Sequence, residues 1–458
     1  MSVGLPVLLG VLYLLHSFFR YFDRDEFEAV HTGWKILQGE VIYADFFQHH
    51  HAAAYHLLSG LISLTGQEPH ALACIRLAFL GMSAGIVWLA WLLTRDLTGS
   101  KAVAHSAAIL LLGMEMFCSA AVEIRPDVPQ VLFGMLGIWA TLRGGRDGRE
   151  SLSCLGGASL ALSFIFLQKA LVVIVLVLAA QGLAVWQRRM RARHLALHMA
   201  ALLMTLAPFG LHLWLTEALS AYVFWNWTLN LHFSCPAADW FFLRQSLLLN
   251  APTWALFAIG LWLAVGRKVL LLVLGGGLAV AMLVSVAAYN VHYPQYYLHF
   301  FPLMTPLAAF GLHKVAQRRE VLAALLVLAC LGSLGKYAFE LVGRGNAEQL
   351  AKVAYVLSCT EKTDAVYDGN AQFNLFRPDV DYFWFSVRPG CSGLAAYQDV
   401  KGYDYDIAER ISRLRPRVIS TYLLGAGAAG LNGYRPSALY PDLLWRLDAQ
   451  EPEQGGAP

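Results

Sequence analysis

The stretch LSCLGGASLALSFIFLQKALVVIVLVLAAQGLAVW, residues 152–186, decides the fold. As one continuous helix, its 35 residues would extend about 50 Å, well beyond the roughly 30 Å of a bilayer's hydrocarbon core. Clusters of arginines flank it on both sides, at 143–149 and 188–193, and the positive-inside rule makes both clusters cytoplasmic. The stretch is therefore predicted to cross the membrane twice, turning near Gln168 and Lys169.

The composition is also that of a membrane protein. Of the 458 residues, 57% are hydrophobic and 14% are charged, which excludes a soluble domain of ordinary composition. The net charge is only +3 and the basic residues lie between apolar runs, so nucleic acid is not expected as a partner. Most of the seven cysteines lie in apolar segments, whereas Cys359 and Cys391 could pair if their domain is extracytoplasmic.

Nine further apolar runs are each predicted to cross the membrane once. They lie at 3–19, 72–94, 102–122, 128–142, 195–219, 247–265, 269–289, 296–313 and 321–340. The first run lacks the basic start and cleavage site of a signal peptide, so it is predicted to remain as a span. We therefore predict a multi-pass protein of a bacterial-type inner (plasma) membrane, with about eleven transmembrane helices and a cytoplasmic N-terminus.

Two domains are predicted. Residues 1–343 form the transmembrane domain, and its long first outer loop, 20–71, carries two helices that lie in the membrane interface. The first is indicated by apolar residues at helical spacing, and the second covers 52–65. Residues 344–458 are predicted to form a small α/β domain outside the cytoplasm, in the periplasm or the extracellular space. Its predicted helices lie at 347–358 and 407–414, and its strands at 364–368, 381–385 and 418–423.

Four acidic residues lie within the six positions 23–28, just outside the first span. Carboxylates beside a membrane segment are costly unless they are paired or functional. Asp25, with Glu28 three residues later, fits a helix cap. Alternatively, Asp25 or its neighbour Glu26 accepts a proton from an acceptor hydroxyl. Both roles can coexist if one carboxylate caps the helix and the other is catalytic.

Two more outer segments carry candidate ligands for phosphate or sugar. Arg125 and Asp127 follow the third span, where a guanidinium beside a carboxylate can bind phosphate or sugar hydroxyls, or can form a local ion pair. Lys169 can hold a phosphate as a point charge, or can extend its ammonium group to the interface. The residue types alone leave both alternatives open.

The segment HYPQYY, residues 292–297, is predicted to be either a platform for a lipid phosphate or sugar, or part of the aromatic belt. Its candidate ligands are His292, Tyr293 and Tyr296. In the first outer loop, Asp45, His49 and His50 are assigned to the acceptor side. Adjacent histidines cannot all face one ion and match no zinc spacing, so no metal site is predicted.

No Walker-type loop, dinucleotide fingerprint or nucleophile elbow occurs in its required context. An enzyme acting at the outer face, where nucleotide sugars and ATP are generally unavailable, needs an activated donor that is already in the membrane. A polyprenyl-phosphate sugar meets that need. No cofactor is required by the sequence, which leaves the need for a divalent cation open.

The order of these features resembles the GT-C glycosyltransferases of family 39 type, which include the protein O-mannosyltransferases and the lipid A aminoarabinose transferase. The resemblance covers about residues 1–340. It is carried by the uncleaved first span, Asp25-Glu26, residues 39–47 before the His-rich turn, Arg125-Pro-Asp127 and Lys169. It departs at Gln295, where the family often has Arg or His, and His292 is then the substitute candidate.

The resemblance implies that Asp25 is the catalytic carboxylate, with Glu26 as its neighbour, and that Arg125, Asp127 and Lys169 hold the donor phosphate or sugar. The implied reaction moves a sugar from polyprenyl phosphate to a hydroxyl of a lipid, glycan or protein, by single displacement with inversion. The alternative is a transporter or flippase for lipid-linked or anionic solutes. That class would place its paired charges near the membrane midplane, whereas these candidates lie at the outer ends of spans.

Overall fold

The structure, a computed structural model, describes residues 4–232, 241–266, 270–288, 293–343, 345–368, 373–380, 387–388, 391–392, 407–421 and 431–448. The chain forms two compact units, each built from three separate segments. The first unit comprises Met1–Phe18, Leu77–Trp214 and Ala238–Gly343, and the second comprises Phe19–Arg76, Leu215–Ala237 and Arg344–Pro458.

The first unit is a bundle of apolar helices. Its main helices are α1 (Gly4–Phe19), α4 (Ala71–Thr98), α5 (Lys101–Leu112), α6 (Glu115–Ala121), α7 (Asp127–Asp147), α8 (Glu150–Phe166), α9 (Ala170–Trp186), α10 (Ala192–Leu215), α13 (Phe241–Leu249), α14 (Ala251–Gly266), α15 (Leu270–Ala288), α16 (Phe301–Ala316) and α17 (Glu320–Gly343). A 3₁₀-helix, Pro294–His299, precedes α16.

The helical hairpin predicted from residues 152–186 is present. α8 ends at Phe166 and α9 begins at Ala170, so the chain turns at Leu167–Lys169, where the polar pair predicted it. This turn places Lys169 at the N-terminal end of α9. The predicted span at 102–122 is instead divided into α5 and α6, which meet at an angle of 74°.

Close helix packing in this unit depends on glycine. A Cβ atom on Gly260 of α14 would lie 1.9 Å from the Leu307 carbonyl oxygen, and one on Gly311 of α16 would lie 2.3 Å from the Leu256 carbonyl oxygen. Small residues at such positions let two helix backbones touch in a membrane bundle.

Length and composition identify α4 and α10 as membrane spans within the described residues, with the bent pair α5 and α6 as a third. Other apolar helices, including α8, α9 and α14, are shorter than 18 residues. The total of about eleven crossings therefore stays a prediction.

The second unit combines helices with a small sheet. Its helices are α2 (Arg24–Leu37), α3 (Ala53–Thr65), α11 (Leu219–Val223), a π-helix (Phe224–Thr228), α12 (Leu229–His232), α18 (Ala347–Ser358) and α19 (Ile407–Leu414). Its strands are β1 (Val366–Tyr367), β2 (Val387–Arg388), β3 (Cys391–Ser392), β4 (Val418–Ser420), β5 (Tyr434–Pro436) and β6 (Leu443–Arg446).

The four-stranded sheet has the order β1-β4-β6-β5. β1 and β4 are parallel, with Val366 opposite Val418, whereas β6 runs antiparallel to both β4 and β5. Because side chains alternate between faces, Val366, Val418 and Trp445 pack with Val356 of α18. Tyr367 and Ile419 pack on the other face with Ile411 of α19.

These elements confirm the small C-terminal α/β region. The structure has α18 and α19 at the predicted positions, β1 lies within 364–368, and β4 begins at 418. The predicted strand at 381–385 lies outside the described residues, as does the side chain of Cys391.

The two helices predicted in the first outer loop are α2 and α3. Gly33 lets α2 approach α3, because a Cβ atom there would lie 2.7 Å from the Leu58 Cβ. Residues 26–35 of α2 are all buried, so its polar side chains need partners inside the protein. Those partners define most of the candidate site in this unit.

Candidate active site

The start of α2 is a capping box. Asp23 is the N-cap, and its Oδ1 accepts a hydrogen bond from the Asp25 backbone N at 3.0 Å. The Glu26 carboxylate in turn accepts from the Asp23 backbone N at 2.9 Å. The cap therefore falls on Asp23 and Glu26 rather than on Asp25. The half-buried Asp25 side chain lies in the first helical turn, where the helix macrodipole stabilises a carboxylate.

Glu26 forms a fully buried ion pair with Arg76. The Arg76 Nε and Nη2 donate to the two carboxylate oxygens at 2.8 and 2.5 Å, and both side chains are 0% exposed. Arg76 also donates to the carbonyl oxygens of Arg20 and Tyr21, and its guanidinium lies 3.7 Å from the centre of the Phe22 ring. These contacts tie the entry of α2 to the start of α4, which gives Glu26 a structural role.

Glu28 anchors the His-rich turn. Its Oε1 accepts hydrogen bonds from Thr32 Oγ1 at 3.0 Å and from Gln48 Nε2 at 2.6 Å. The Gln48 Oε1 then accepts from the backbone N atoms of His49 and His50. The buried network therefore fixes the backbone that carries the two half-buried imidazoles.

An aromatic cluster adjoins this turn. The imidazoles of His49 and His50 lie 3.8 Å apart, and Phe47 lies 4.9 Å from Trp225 of the π-helix, in each case between ring centres. The Asn230 side chain donates to the His49 carbonyl oxygen. Asp45 is exposed and accepts from the Val41 backbone N at 2.7 Å, so it closes a local turn.

Asp379 binds two buried side chains of α2, those of His31 and Lys35. Its Oδ1 lies 2.7 Å from His31 Nε2, and its Oδ2 accepts from Lys35 Nζ at 2.9 Å. The other nitrogen of His31, Nδ1, faces the Leu375 carbonyl oxygen at 3.2 Å. Lys35 also contacts Glu40 at 2.9 Å. This cluster joins residues 373–380 to α2.

The electrostatics of the cluster favour its charged form. Burial alone would raise the pKa of Asp379, but His31 and Lys35 outweigh burial and hold it below its usual value. Burial would also lower the pKa of Lys35, but Asp379 and Glu40 raise it overall. The charges therefore stabilise the folded second unit at neutral pH.

Asp379→Asn is expected to lower the free energy of unfolding by about 2 kcal/mol at pH 7, because it leaves the buried Lys35 ammonium and the buried His31 ring with a weaker partner. Since folding lowers the pKa of Asp379, its contribution is complete above the unfolded value of about 3.9 and is lost as the pH falls through the folded value. The difference between wild type and variant should shrink below about pH 4. Thermal unfolding in detergent from pH 3 to 7 measures this difference in stability. Asp448→Asn, at an exposed ion pair with Arg446, is the matched control, and an equal effect there would contradict the assignment.

The first unit holds a second polar cluster, at the N-terminal ends of α7 and α9. Lys169 Nζ donates to Asp127 Oδ1 at 3.1 Å, with side-chain exposures of 11% and 4%. The same nitrogen lies 3.4 Å from the centre of the Tyr296 ring. His299 Nε2 lies 3.9 Å from the same Asp127 oxygen. We call Asp127, Lys169, Tyr296 and His299 the lysine cluster.

The other candidates of this unit have defined neighbours. Arg125 Nε donates to Glu123 at 2.6 Å, and both side chains are about nine-tenths buried. Tyr293 packs edge-on against Tyr296, with ring centres 6.0 Å apart. His292 lies outside the described residues. The structure therefore brings together Asp127, Lys169, Tyr293 and Tyr296, and pairs Arg125 with its near neighbour.

Arg76 and His299 were not identified from the sequence. Arg76 is the one Lys, Arg, Asp or Glu in the predicted span 72–94, and His299 is one of two histidines in the predicted span 296–313. Ionisable residues within membrane spans are rare and are usually paired or functional. Their position in predicted spans could therefore have identified Arg76 and His299. Nothing in the sequence around Asp379 indicated that it would bind His31 and Lys35.

Comparison with known proteins agrees with this architecture. Residues 51–214 match the model of the family described as dolichyl-phosphate-mannose-protein mannosyltransferase. No curated protein matches the chain by sequence.

Solved structures extend the likeness to nearly the whole chain. ArnT from Cupriavidus metallidurans bound to undecaprenyl phosphate matches with a TM-score of 0.69 and 14% identity, over 97% of this chain and 98% of that chain. Its apo state gives a TM-score of 0.70 at 14% identity, over 96% of each chain. The Archaeoglobus fulgidus oligosaccharyltransferase AglB, in complex with an inhibitory peptide and a dolichol-phosphate, gives 0.57 at 11% identity, over 91% of this chain and 69% of that chain.

The chain is thus a polytopic helical membrane protein with the GT-C fold, and the predicted fold class is confirmed. The predicted resemblance to the protein O-mannosyltransferase and ArnT type is confirmed as well.

Proposed function

We propose that the protein is an integral membrane glycosyltransferase that moves a sugar from a polyprenyl-phosphate donor to a hydroxyl acceptor on the outer side of the membrane. The observation that carries the proposal is the lysine cluster: a partly buried ammonium held by Asp127 and Tyr296 at the N-terminal ends of two helices, in a chain with the GT-C fold.

The lysine cluster suits the donor phosphate. The N-terminus of a helix attracts anions, and a buried ammonium interacts with a phosphate more strongly than one in water. Asp127 neutralises Lys169 before the donor binds. Arg125, Tyr293 and His292 are the further donor-side candidates. Matched structures of ArnT and AglB carry undecaprenyl phosphate and a dolichol-phosphate, which supports a lipid-linked donor.

Asp25 is proposed as the base. Glu26 is committed to Arg76 and to the capping box, so of this pair Asp25 suits proton transfer better. The acceptor oxygen attacks the anomeric carbon as its proton passes to Asp25. The bond from that carbon to the phosphate oxygen breaks, and its electron pair remains on the phosphate. One displacement of this kind inverts the anomeric configuration.

The acceptor is assigned to the second unit. His49 and His50, beside Phe47 and Trp225, offer ring faces and polar edges that fit a hydroxyl-bearing acceptor, and Asp45 belongs to the same loop. The acceptor class is a lipid, glycan or protein. We also propose a cytoplasmic N-terminus and an extracytoplasmic C-terminal region, as the positive-inside rule predicts.

Transfer of radiolabelled sugar from polyprenyl phosphate to hydroxyl acceptors, in detergent with the purified full-length protein, tests the function. Labelled product with an inverted anomeric linkage is the expected result. Movement of intact lipid-linked solute across proteoliposomes, without transfer to any acceptor class, would overturn the proposal in favour of a flippase.

Lys169→Met is expected to lower kcat/KM for the donor about 100-fold, because it removes a partly buried cation that stabilises the charge developing on the leaving phosphate. Steady-state kinetics with varied donor concentration measures the loss. Lys101→Met, at an exposed lysine that begins α5, is the matched control and should keep wild-type kinetics. Equal kinetics for both variants would contradict the phosphate assignment.

A further inference from the structure

His299 is a buried histidine that the proposed reaction has not yet used. It is the last residue of the 3₁₀-helix Pro294–His299, which packs against α6 and α7. Its side chain is 5% exposed. Within the described part of the chain, its Nε2 has no hydrogen-bond partner.

The geometry around Nε2 points to a ligand oxygen. The nearest acidic atom, Asp127 Oδ1, is 3.9 Å away, which is too far for a hydrogen bond. The same carboxylate oxygen accepts from Lys169 Nζ at 3.1 Å. Two nitrogen donors from separate elements therefore converge on one region beside Asp127, but only Lys169 is bonded there.

A purely structural role accounts poorly for this arrangement. Buried polar atoms in native proteins nearly always have partners, and an exception calls for an explanation such as a ligand. A core histidine that served only packing would be expected to satisfy both ring nitrogens.

We propose that His299 is a phosphate-binding residue: its Nε2–H donates to a non-bridging oxygen of the polyprenyl phosphate, beside Lys169. This inference rests on the proposed function and adds a residue to its donor side. The phosphate carries one negative charge in the sugar-linked donor and gains a second as the bond to the sugar breaks. A hydrogen bond to it therefore strengthens toward the transition state and the product.

The role predicts a specific kinetic pattern. Removing the Nε2–H donor should reduce kcat and weaken inhibition by the product, polyprenyl phosphate, each by about 10- to 100-fold, the effect of one hydrogen bond to a charged group. The KM for the sugar-linked donor should change less, because that phosphate carries less charge.

The test compares His299→Phe, which keeps a ring but lacks the donor, with His299→Gln, which keeps an N–H. The probes are undecaprenyl phosphate and undecaprenol, the same lipid without the phosphate, as inhibitors of transfer by the full-length protein. His299→Phe should lose affinity for undecaprenyl phosphate alone, and His299→Gln should regain most of it. His313→Gln, at the far end of α16, is the matched control.

Each outcome is decisive. Loss of affinity for both lipids, or unchanged affinity for undecaprenyl phosphate in His299→Phe, would overturn the role of His299 while leaving the proposed function standing. Absence of transfer and of phosphate-dependent inhibition in the wild type would instead overturn the proposed function. If His299→Phe elutes as an aggregate, His299→Ala provides the same comparison.

Discussion

Asp25→Asn is expected to lower kcat/KM for sugar transfer by about 100- to 10,000-fold, the range for removing a general base. The amide keeps the size of the carboxylate but cannot take the acceptor's proton. The capping box should be unaffected, because it uses the side chains of Asp23 and Glu26 and only the backbone N of Asp25. The transfer assay measures the loss of activity, and a thermal unfolding measurement on the same variant shows whether its stability has changed.

Asp23→Asn is the matched control for this change. It removes one negative charge two residues away, and asparagine caps helices as well as aspartate does. It should retain activity within about twofold, since it leaves the proposed base in place. A fully active Asp25→Asn protein would contradict the assignment of the base. Equal losses in both variants would indicate that the local negative charge, and not Asp25 itself, supports the reaction.

Arg76→Met is expected to lower the free energy of unfolding by about 3 to 5 kcal/mol, because it leaves the fully buried Glu26 carboxylate without its cation. The variant also loses hydrogen bonds to two carbonyl oxygens and the contact with the Phe22 ring. Denaturation of the purified protein in detergent, followed by tryptophan fluorescence, measures the change.

A double variant isolates the ion pair from the packing. Adding Glu26→Gln to Arg76→Met removes the stranded charge, so it should restore part of the lost stability. Arg193→Met, in an ion pair with Glu150 whose side chains are 71% and 42% exposed, should have almost no effect. A double variant less stable than Arg76→Met would show that Glu26 is not stabilised by Arg76.

Elements defined by local pattern were predicted well. The hairpin of α8 and α9 followed from the length of one apolar run and the charges that flank it. α2, α18 and α19 followed from helical spacing. The polytopic helical class needed only these features, because apolar run length and periodicity are local properties of a chain in a membrane. The GT-C fold was predicted from the family resemblance of the motifs.

Contacts between residues far apart in the sequence could not be predicted. Glu26 was a candidate base by its position beside Asp25, but its partner Arg76 lies 50 residues away, and periodicity carries no information about such a contact. For the same reason, the sequence did not predict Asp379 as the partner of His31 and Lys35. It also did not predict that His299 lies near Asp127. Three of the four residues of the lysine cluster were predicted, because Lys169, Asp127 and Tyr296 each carry chemistry that is recognisable alone.

The cluster of Asp379 with α2 also sets an order of assembly. His31 and Asp379 are 348 residues apart, so at translation rates of about 5–20 residues per second the partner emerges roughly 17 to 70 seconds after α2. Throughout that interval His31 and Lys35 of α2 have no access to Asp379. The second unit, built from three distant segments, thus has a high contact order and completes only late in synthesis. Ribosome pausing or premature termination before residue 379 would release chains whose membrane helices are made but whose α2 still lacks this counter-charge.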